Sequence, residues 1–200
     1  MGKYVESERW YRSVLTAQED LYGHDSAEAA GTLCNLGVLL MEQYKLKEAS
    51  DYLDESLTMR TQLYGAKHPD VASSLNNIGS LLDMLGRHEE AKSKFEQALQ
   101  IRVEIYGAKH PSVAQCINNI ANLMCSIGNY DEAESLFMLA QSIVARLYGD
   151  DHPEHSVTLS NLAGLMDARG EHERSKYLHE KAFEIRKQTF GEGHPISAMR

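Results

Sequence analysis

An aromatic residue followed by glycine recurs every 42 residues along the whole chain. The five pairs begin at Tyr22, Tyr64, Tyr106, Tyr148 and Phe190. A constant interval of this length indicates a tandem array of similar supersecondary units rather than one globular core. In such an array each unit contacts only its neighbours, and binding usually takes place on a surface built from equivalent positions of successive units.

Each repeat contains the pattern of two amphipathic helices. In the clearest copy, His68-Pro69 begins the first helix, because proline at the first helical position loses no needed hydrogen bond. Apolar residues then follow at spacings of three and four, at Val71, Leu75, Ile78, Leu82 and Leu85. Gly86 ends this helix, and a second helix runs from near His88 to Tyr106. Since no segment alternates with period two, the sequence predicts an all-α protein without a sheet.

Small and bulky residues recur at fixed offsets within these helices. One position of the first helices holds Gly37, Gly79, Ala121 and Ala163, and one position of the second helices holds Leu53, Phe95 and Phe137. Small side chains allow helix axes to approach to ~8–10 Å. This combination resembles the tetratricopeptide repeat, whose usual period is about 34 residues. The longer interval, together with the motif LYGxxHPxVAxxLNNIGxLL, is similar to the extended repeats of kinesin light chains and nephrocystin-3, and of some bacterial and fungal nucleotide-switch signalling proteins.

The resemblance implies a right-handed α-solenoid of antiparallel helix pairs. The interval divides the chain into 1–22 (the second helix of a partial repeat), four repeats at 23–64, 65–106, 107–148 and 149–190, and the start of a further repeat at 191–200. We therefore interpret the chain as a fragment of a longer array. Apolar surface at its two ends, near Tyr4, Trp10, Tyr11 and Ile196, favours end-to-end self-association.

Three sites depart from the repeat pattern. Tyr44 stands where the other copies have the glycine that ends the first helix, so we expect a tight or strained turn there. Ser175 and His179 replace the alanine and the bulky residue of the last second helix. We expect the last full copy to pack less well for that reason.

The recurrent histidines do not predict a metal site. His68, His110, His152 and His194 each precede proline and lie one unit apart, too far to share an ion at ~2.0–2.1 Å. We expect each to cap its helix by bonding a free backbone N–H, as Ser26 would in the first copy.

Composition excludes several functional classes. The net charge is −9 with mixed signs along the helices, which argues against nucleic acid or an anionic membrane as partner. The three cysteines show no CxxC spacing, and we expect free, buried thiols in a reducing compartment, hence a cytoplasmic protein.

There is no signal peptide, no membrane-spanning run and no catalytic or nucleotide-binding motif. The sequence thus predicts neither an enzyme nor a cofactor-binding protein.

Asparagines occupy one mid-helix position in all four first helices, namely Asn35, Asn77, Asn119 and Asn161, and further polar residues lie near them at Asn76, Ser80, Asp83, Asn118 and Asn122. Asparagine is a poor helix-interior residue, so its recurrence needs a reason. Either the amides bridge neighbouring helices, or they bind the N–H and C=O groups of an extended peptide. In similar tetratricopeptide families this position lines the concave groove, and the resemblance assigns these nine residues to a peptide-binding groove.

The same comparison assigns Gly31, Cys34, Val38, Met41, Ser73, Gln115, Cys125, Val157, Ser160, Gly164 and Asp167 to the groove. No lysine or arginine occurs among these first-helix positions, so we expect a neutral or basic protein partner rather than an acidic one. The sequence therefore predicts a non-catalytic scaffold for protein interaction, which could be a cargo adaptor similar to kinesin light chains. The alternatives are a regulatory segment of a larger signalling protein and a structural element for self-assembly.

Overall fold

The computed structural model describes residues 2–149 and 152–190, and in these ranges the chain is a succession of α-helices without strands. The helices divide between two compact units, 1–105 and 106–200. The first unit contains α1 (Gly2–Tyr22), α2 (Ala27–Glu42), α3 (Leu46–Tyr64), α4 (Pro69–Met84) and α5 (His88–Tyr106), whose last residue already belongs to the second unit. The second contains α6 (Pro111–Ser126), α7 (Tyr130–Tyr148), α8 (Pro153–Ala168) and α9 (His172–Phe190). The all-α prediction is confirmed, and the expected start of a further repeat lies outside the described residues.

Histidine side chains cap three of the first helices. In α4, α6 and α8 the Nδ1 atom of His68, His110 or His152 accepts a hydrogen bond at 3.2 Å from the backbone N–H two residues later. Ser26 caps α2 in the usual way, with its hydroxyl accepting from the Ala29 N–H at 3.3 Å. The capping prediction is confirmed for these four residues, while His194 lies outside the described part.

Each capping histidine also stacks on the tyrosine four residues before it. The ring centroids are 4.3 Å apart in the pairs Tyr64–His68, Tyr106–His110 and Tyr148–His152. This contact joins the end of one helix to the start of the next, and it explains why the aromatic residue and the histidine share one period. We did not predict it, although the fixed spacing of four was present in the sequence.

The first helices end in a left-handed residue. Gly86, Gly128 and Gly170 have φ of 72°, 80° and 78°, and Tyr44 has φ of 58° at the equivalent turn. Tyr44 is the one non-glycine residue with positive φ in the described ranges. The expectation of a strained turn in the first copy is confirmed, because a side chain at positive φ costs energy that glycine avoids.

Small residues set the spacing within each helix pair. A Cβ atom added to Gly37 would lie 2.7 Å from Leu53 Cγ, and one added to Gly79 would lie 2.7 Å from Phe95 Cε1. Farther back along α2, the Ala30 carbonyl accepts from the Ser56 hydroxyl at 2.7 Å. Residue 30 of α2 thus lies against residue 56 of α3, and residue 37 lies against residue 53. Because the numbers rise along one helix as they fall along the other, α2 and α3 run antiparallel.

Two positions of the last pair carry polar residues beside an apolar cluster of Leu159, Ala182 and Ile185. The buried Ser175 hydroxyl bonds the Asp167 carboxylate, and this bond, with the one from His172, lowers the pKa of Asp167. His179 has a buried Nδ1 atom without a hydrogen-bond partner among the described residues. These are the two positions at which the sequence departs from the repeat pattern.

Candidate functional site

The first helices bury one side and leave the other partly open. On α6 the buried stripe consists of Val113, Ala114, Cys116, Ile117, Ile120, Ala121, Leu123 and Met124. At about 100° per residue, Asn118, Asn119 and Asn122 lie on the opposite side of the helix. The asparagines therefore belong to the partly open side that the sequence comparison assigned to a groove.

In the first unit, one candidate amide bridges two first helices. α2 and α4 are in contact, and the Asn77 amide donates to the Sγ atom of the buried Cys34 at 3.1 Å. This contact is the interhelical alternative considered for the recurrent asparagines. Asn76 is buried on α4, whereas Asn35 is exposed on α2.

The other polar candidates of α4 are also engaged within the first unit. The Ser80 hydroxyl donates to the backbone carbonyl of Asn76 at 3.2 Å, as a serine inside a helix often does. The Asp83 carboxylate lies 3.0 Å from His88 Nδ1 at the turn between α4 and α5. The structure thus places Asn77, Ser80 and Asp83 on α4 with contacts to their own unit.

The second unit presents a more open set of amides. Asn118, Asn119 and Asn161 are half-buried and Asn122 is exposed, and the helices that carry them, α6 and α8, are in contact. The Asn118 Oδ1 atom is buried and has no hydrogen-bond partner among the described residues. We call these four residues the amide face of the second unit.

Arginines from the second helices reach residues assigned to the groove. Arg102 on α5 donates to the Ser73 hydroxyl at 3.4 Å, and Arg186 on α9 donates to the Ser160 hydroxyl at 3.3 Å. The first-helix positions assigned to the groove contain no arginine, as the sequence shows, but two arginines of the second helices contact serines among them. We considered first-helix positions alone in the sequence, although the separation of Arg102 and Arg186 by 84 residues, twice the repeat interval, is visible there.

The cysteines are free thiols, and two of the three are buried. Cys34 and Cys116 are buried, whereas Cys125 is half-buried on α6, so the expectation of burial is wrong for Cys125. Burial raises the pKa of the Cys125 thiol, and the charge of Arg169 opposes that shift. Within the described ranges no group of three or more histidine, cysteine or acidic residues could hold a metal ion.

Family comparison identifies the repeat. A family model of the tetratricopeptide repeat matches residues 28–104, 85–140 and 115–188. The chain belongs to the tetratricopeptide repeat family. Within this family, the helix pairs described above form a scaffold of a type that is typical of protein–protein interaction. No curated protein sequence matches the chain.

Solved tetratricopeptide-like structures share the fold at low identity. BtubC (BKLC) from P. vanneervenii is 23% identical, with 97% of this chain and 77% of that chain covered and a TM-score of 0.73. A putative kinesin light chain of Podosopora anserina is 20% identical, with coverage of 94% and 89% and a TM-score of 0.70. A Rap protein complexed with Competence and Sporulation Factor is 16% identical, with coverage of 94% and 50% and a TM-score of 0.78. The resemblance to kinesin-light-chain-like repeats is thus confirmed for the fold.

No helix in the described part of the chain combines the length and apolar character needed to cross a membrane.

Proposed function

We propose that the chain is a protein-interaction module that binds an extended segment of a partner protein on its first helices. The observation that carries the proposal is the amide face of the second unit, where the Asn118 Oδ1 acceptor is buried without a partner among the described residues. A buried acceptor without a partner costs ~1–3 kcal/mol. A backbone N–H of a bound peptide would remove that cost.

The amide face matches the chemistry of an extended backbone. Each asparagine side chain offers an N–H donor and a C=O acceptor, which are the two groups that an extended peptide presents. Neighbouring first helices ~8–10 Å apart correspond to about three peptide residues at ~3.3 Å each. The spacing of an extended peptide therefore allows it to pair with one asparagine on each first helix, for example Asn119 on α6 and Asn161 on α8.

Side-chain charge gives the proposed partner its general character. The first-helix positions assigned to the groove include Asp83 and Asp167 but no lysine or arginine, and the chain carries a net charge of −9. We infer a segment that is neutral or basic at most positions. The Rap protein of similar fold was solved with Competence and Sporulation Factor, which supports a binding role for such helix pairs. We infer a non-catalytic role in the cytoplasm, whether as a cargo adaptor or as a regulatory segment.

The proposal is tested with peptides selected from a random display library. Isothermal titration calorimetry would compare the intact chain with the double variant Asn118→Ala, Asn119→Ala. We expect at least tenfold weaker binding without a loss of melting temperature, because Asn118→Ala removes an acceptor that is buried without a hydrogen-bond partner among the described residues, so the fold loses no hydrogen bond there. Gln62→Ala removes an exposed amide from the second helix α3 and is the control that should bind normally. Equal affinity of the double variant and the control would contradict the proposal.

A second proposal concerns self-association through α1. Trp10 is 61% exposed and Tyr4 is 45% exposed on this helix. Exposed apolar surface of this kind promotes association. If the chain self-associates, its apparent mass in analytical ultracentrifugation rises with protein concentration, and we expect Trp10→Glu to reduce that rise. An unchanged rise would show that the surface through which the chains associate does not include Trp10. Of the other two residues expected to take part, Tyr11 is half-buried and Ile196 lies outside the described residues.

A further inference from the structure

A cleft of about 360 Å³ lies between the second helices α3 and α5 of the first unit. Its apolar lining consists of Leu57 on α3, Val71 and Leu75 on α4, and Ile101 on α5. Small-molecule sites usually occupy ~300–1,000 Å³ and combine an apolar lining with a few polar groups. The volume and the lining of this cleft are therefore those of a ligand site on the surface that the second helices form.

A tyrosine fills the equivalent cleft between α1 and α3. Forty-two residues before the apolar lining lie Leu15, Leu33 and Met59. Leu15 and Tyr52 pack against a buried cluster that contains Leu33 and Met59. The Tyr52 hydroxyl accepts a hydrogen bond from Arg12 at 2.7 Å. An aromatic ring with a hydroxyl group thus fits a cleft of this kind, with a cation at its edge.

The cleft between α3 and α5 is open because a lysine takes the place of that ring. The residues at this position of α3, α5, α7 and α9 are Tyr52, Lys94, Leu136 and Leu178. In the second unit, Leu178 packs against the buried residues Leu159 and Ile185. Lys94 is the charged member of this series, so the chain itself supplies no apolar side chain to the cleft from this position.

Lys94 brings to the cleft an ammonium group that makes no hydrogen bond or ion pair with the described residues. Glu90, one turn earlier on α5, binds Arg87 at 2.7 Å. The other two charged residues of the lining, Lys67 and Glu104, pair with each other at 2.7 Å. The Lys94 ammonium is therefore available to an oxygen atom of a ligand.

Gln97 adds an acceptor beside that donor. It lines the cleft one turn after Lys94 on α5, so both side chains lie on one side of the helix. The Gln97 Nε2 atom donates to the Ser93 hydroxyl at 3.2 Å, and the amide oxygen remains able to accept. A hydroxyl group accepts and donates, and it therefore matches Lys94 and Gln97 together, whereas a carboxylate would only accept.

We propose that this cleft binds a small phenol, a free molecule with one aromatic ring and one hydroxyl group. The ring would lie on the apolar lining, as the Tyr52 ring lies on the equivalent residues of the first pair. The phenol oxygen would accept from the Lys94 ammonium, and its O–H would donate to the Gln97 amide oxygen. The cleft shares no residue with the amide face, so this site goes beyond the proposed peptide binding.

Three small probes test the site without any partner protein. The intact chain, labelled with ¹⁵N, would be titrated with 4-methylphenol, with toluene, which lacks the hydroxyl, and with N-acetyltyrosine amide, which carries the phenol ring on peptide groups. We expect saturable shifts of the Val71 and Ile101 backbone signals with 4-methylphenol, and about tenfold weaker binding of toluene because two hydrogen bonds are lost. N-acetyltyrosine amide should bind more weakly than 4-methylphenol, since its polar amide groups would lose water at the cleft.

Two variants and a control make the result specific. Lys94→Leu introduces the residue of the last two copies, and it should abolish the binding of 4-methylphenol and raise the melting temperature, because the leucine fills the cleft. Gln97→Ala should weaken 4-methylphenol several-fold and leave the affinity for toluene unchanged. Lys92→Leu is the same substitution on the same helix outside the cleft lining, and it should leave both affinities unchanged. If circular dichroism shows that Lys94→Leu loses helix, Gln97→Ala alone decides.

The proposal is overturned if 4-methylphenol causes no saturable shift of the Val71 and Ile101 signals, or if it binds Lys94→Leu as tightly as the unmodified chain. Equal or tighter binding of N-acetyltyrosine amide would also overturn it, because the cleft would then suit a side chain of a partner protein. The outcome is independent of the peptide hypothesis, since neither Asn118 nor Asn119 lines this cleft.

Discussion

At the scale of single residues, Tyr44 adopts a backbone conformation for which the other described turns of its kind use glycine. Its φ is 58°, against 72° for Gly86, and the side chain is 80% exposed. A left-handed conformation costs a residue with a Cβ atom roughly 1–2 kcal/mol. Because the tyrosine ring lies mostly in solvent, little packing energy offsets this cost.

Tyr44→Gly should therefore stabilise the protein. We expect the free energy of unfolding in urea to rise by about 1 kcal/mol, since the strain disappears and few contacts are lost. Gly86→Ala introduces a side chain at the equivalent turn and should lower the free energy of unfolding by a similar amount. A loss of stability in Tyr44→Gly would mean that the ring makes contacts that outweigh the strain.

Glu8 connects stability to pH at the N-terminal helix. A hydrogen bond from Lys45, and a further one from Arg12, lower the pKa of Glu8 from 4.5 to about 2, against the opposing effect of partial burial. Because the folded state favours the carboxylate, this contribution is present above pH 4.5 and is lost as the pH falls from 4.5 towards 2.

Glu8→Gln should make the free energy of unfolding less dependent on pH between pH 4.5 and about 2. The measurement is the free energy of unfolding as a function of pH for both proteins. Glu42→Gln is the control, because Glu42 is exposed and forms no ion pair with the described residues, and its curve should match the unmodified one. Parallel curves for Glu8→Gln and the unmodified protein would show that the ion pair with Lys45 does not form in solution.

At the scale of helices, the position where the two helices of a pair come closest is glycine in the first unit and alanine in the second. A Cβ atom on Gly79 would lie 2.7 Å from the Phe95 ring, whereas Ala121 and Phe137 are both fully buried at the equivalent positions of the second unit. The spacing of α6 and α7, or the orientation of the Phe137 ring, therefore leaves room for the Cβ atom of Ala121.

Gly79→Ala and Gly31→Ala separate this steric effect from helix propensity. Both sites are helical, and alanine is favoured over glycine by ~0.8–1 kcal/mol. Gly31→Ala should stabilise the protein by up to that amount, because a Cβ atom there meets nothing within 4 Å. Gly79→Ala should destabilise it, since overpacking costs ~1–3 kcal/mol. Similar thermal shifts for the two variants would contradict the packing described for α4 and α5.

Local signals predicted the helices better than they predicted the contacts between them. His68-Pro69 and Gly86 marked the start and the end of α4, because caps and turns depend on neighbouring residues. The bond between Asn77 and Cys34 joins residues 43 positions apart and depends on the arrangement of two helices. The reach of Arg186 to Ser160 likewise depends on a side-chain conformation that a helical pattern does not determine.

The junction of α7 and α8 shows the same limit. Gln141 and the buried His155 form a hydrogen bond of 2.7 Å, where the first unit has the apolar residues Leu57 and Val71. A period of 42 identifies equivalent positions, but it does not reveal that two replacements at different positions compensate each other. Such paired changes become visible when the fold brings both residues together.

At the scale of the whole molecule, the repeat makes binding a property of equivalent positions rather than of one pocket. The family assignment provides the scaffold, and the proposed amide face provides the chemistry. The most direct test of that proposal is a double-mutant cycle on a selected peptide. Each backbone N–H of the peptide is replaced by N-methyl in turn, and affinity is measured for the unmodified chain and for Asn118→Ala.

We expect one peptide position at which N-methylation weakens binding to the unmodified chain at least tenfold and has almost no further effect on binding to Asn118→Ala. Such coupling would identify the N–H that pairs with the Asn118 carbonyl oxygen. Effects of N-methylation that are equal in the two proteins at every peptide position would contradict the central claim, because the asparagine would then make no contact with the peptide backbone.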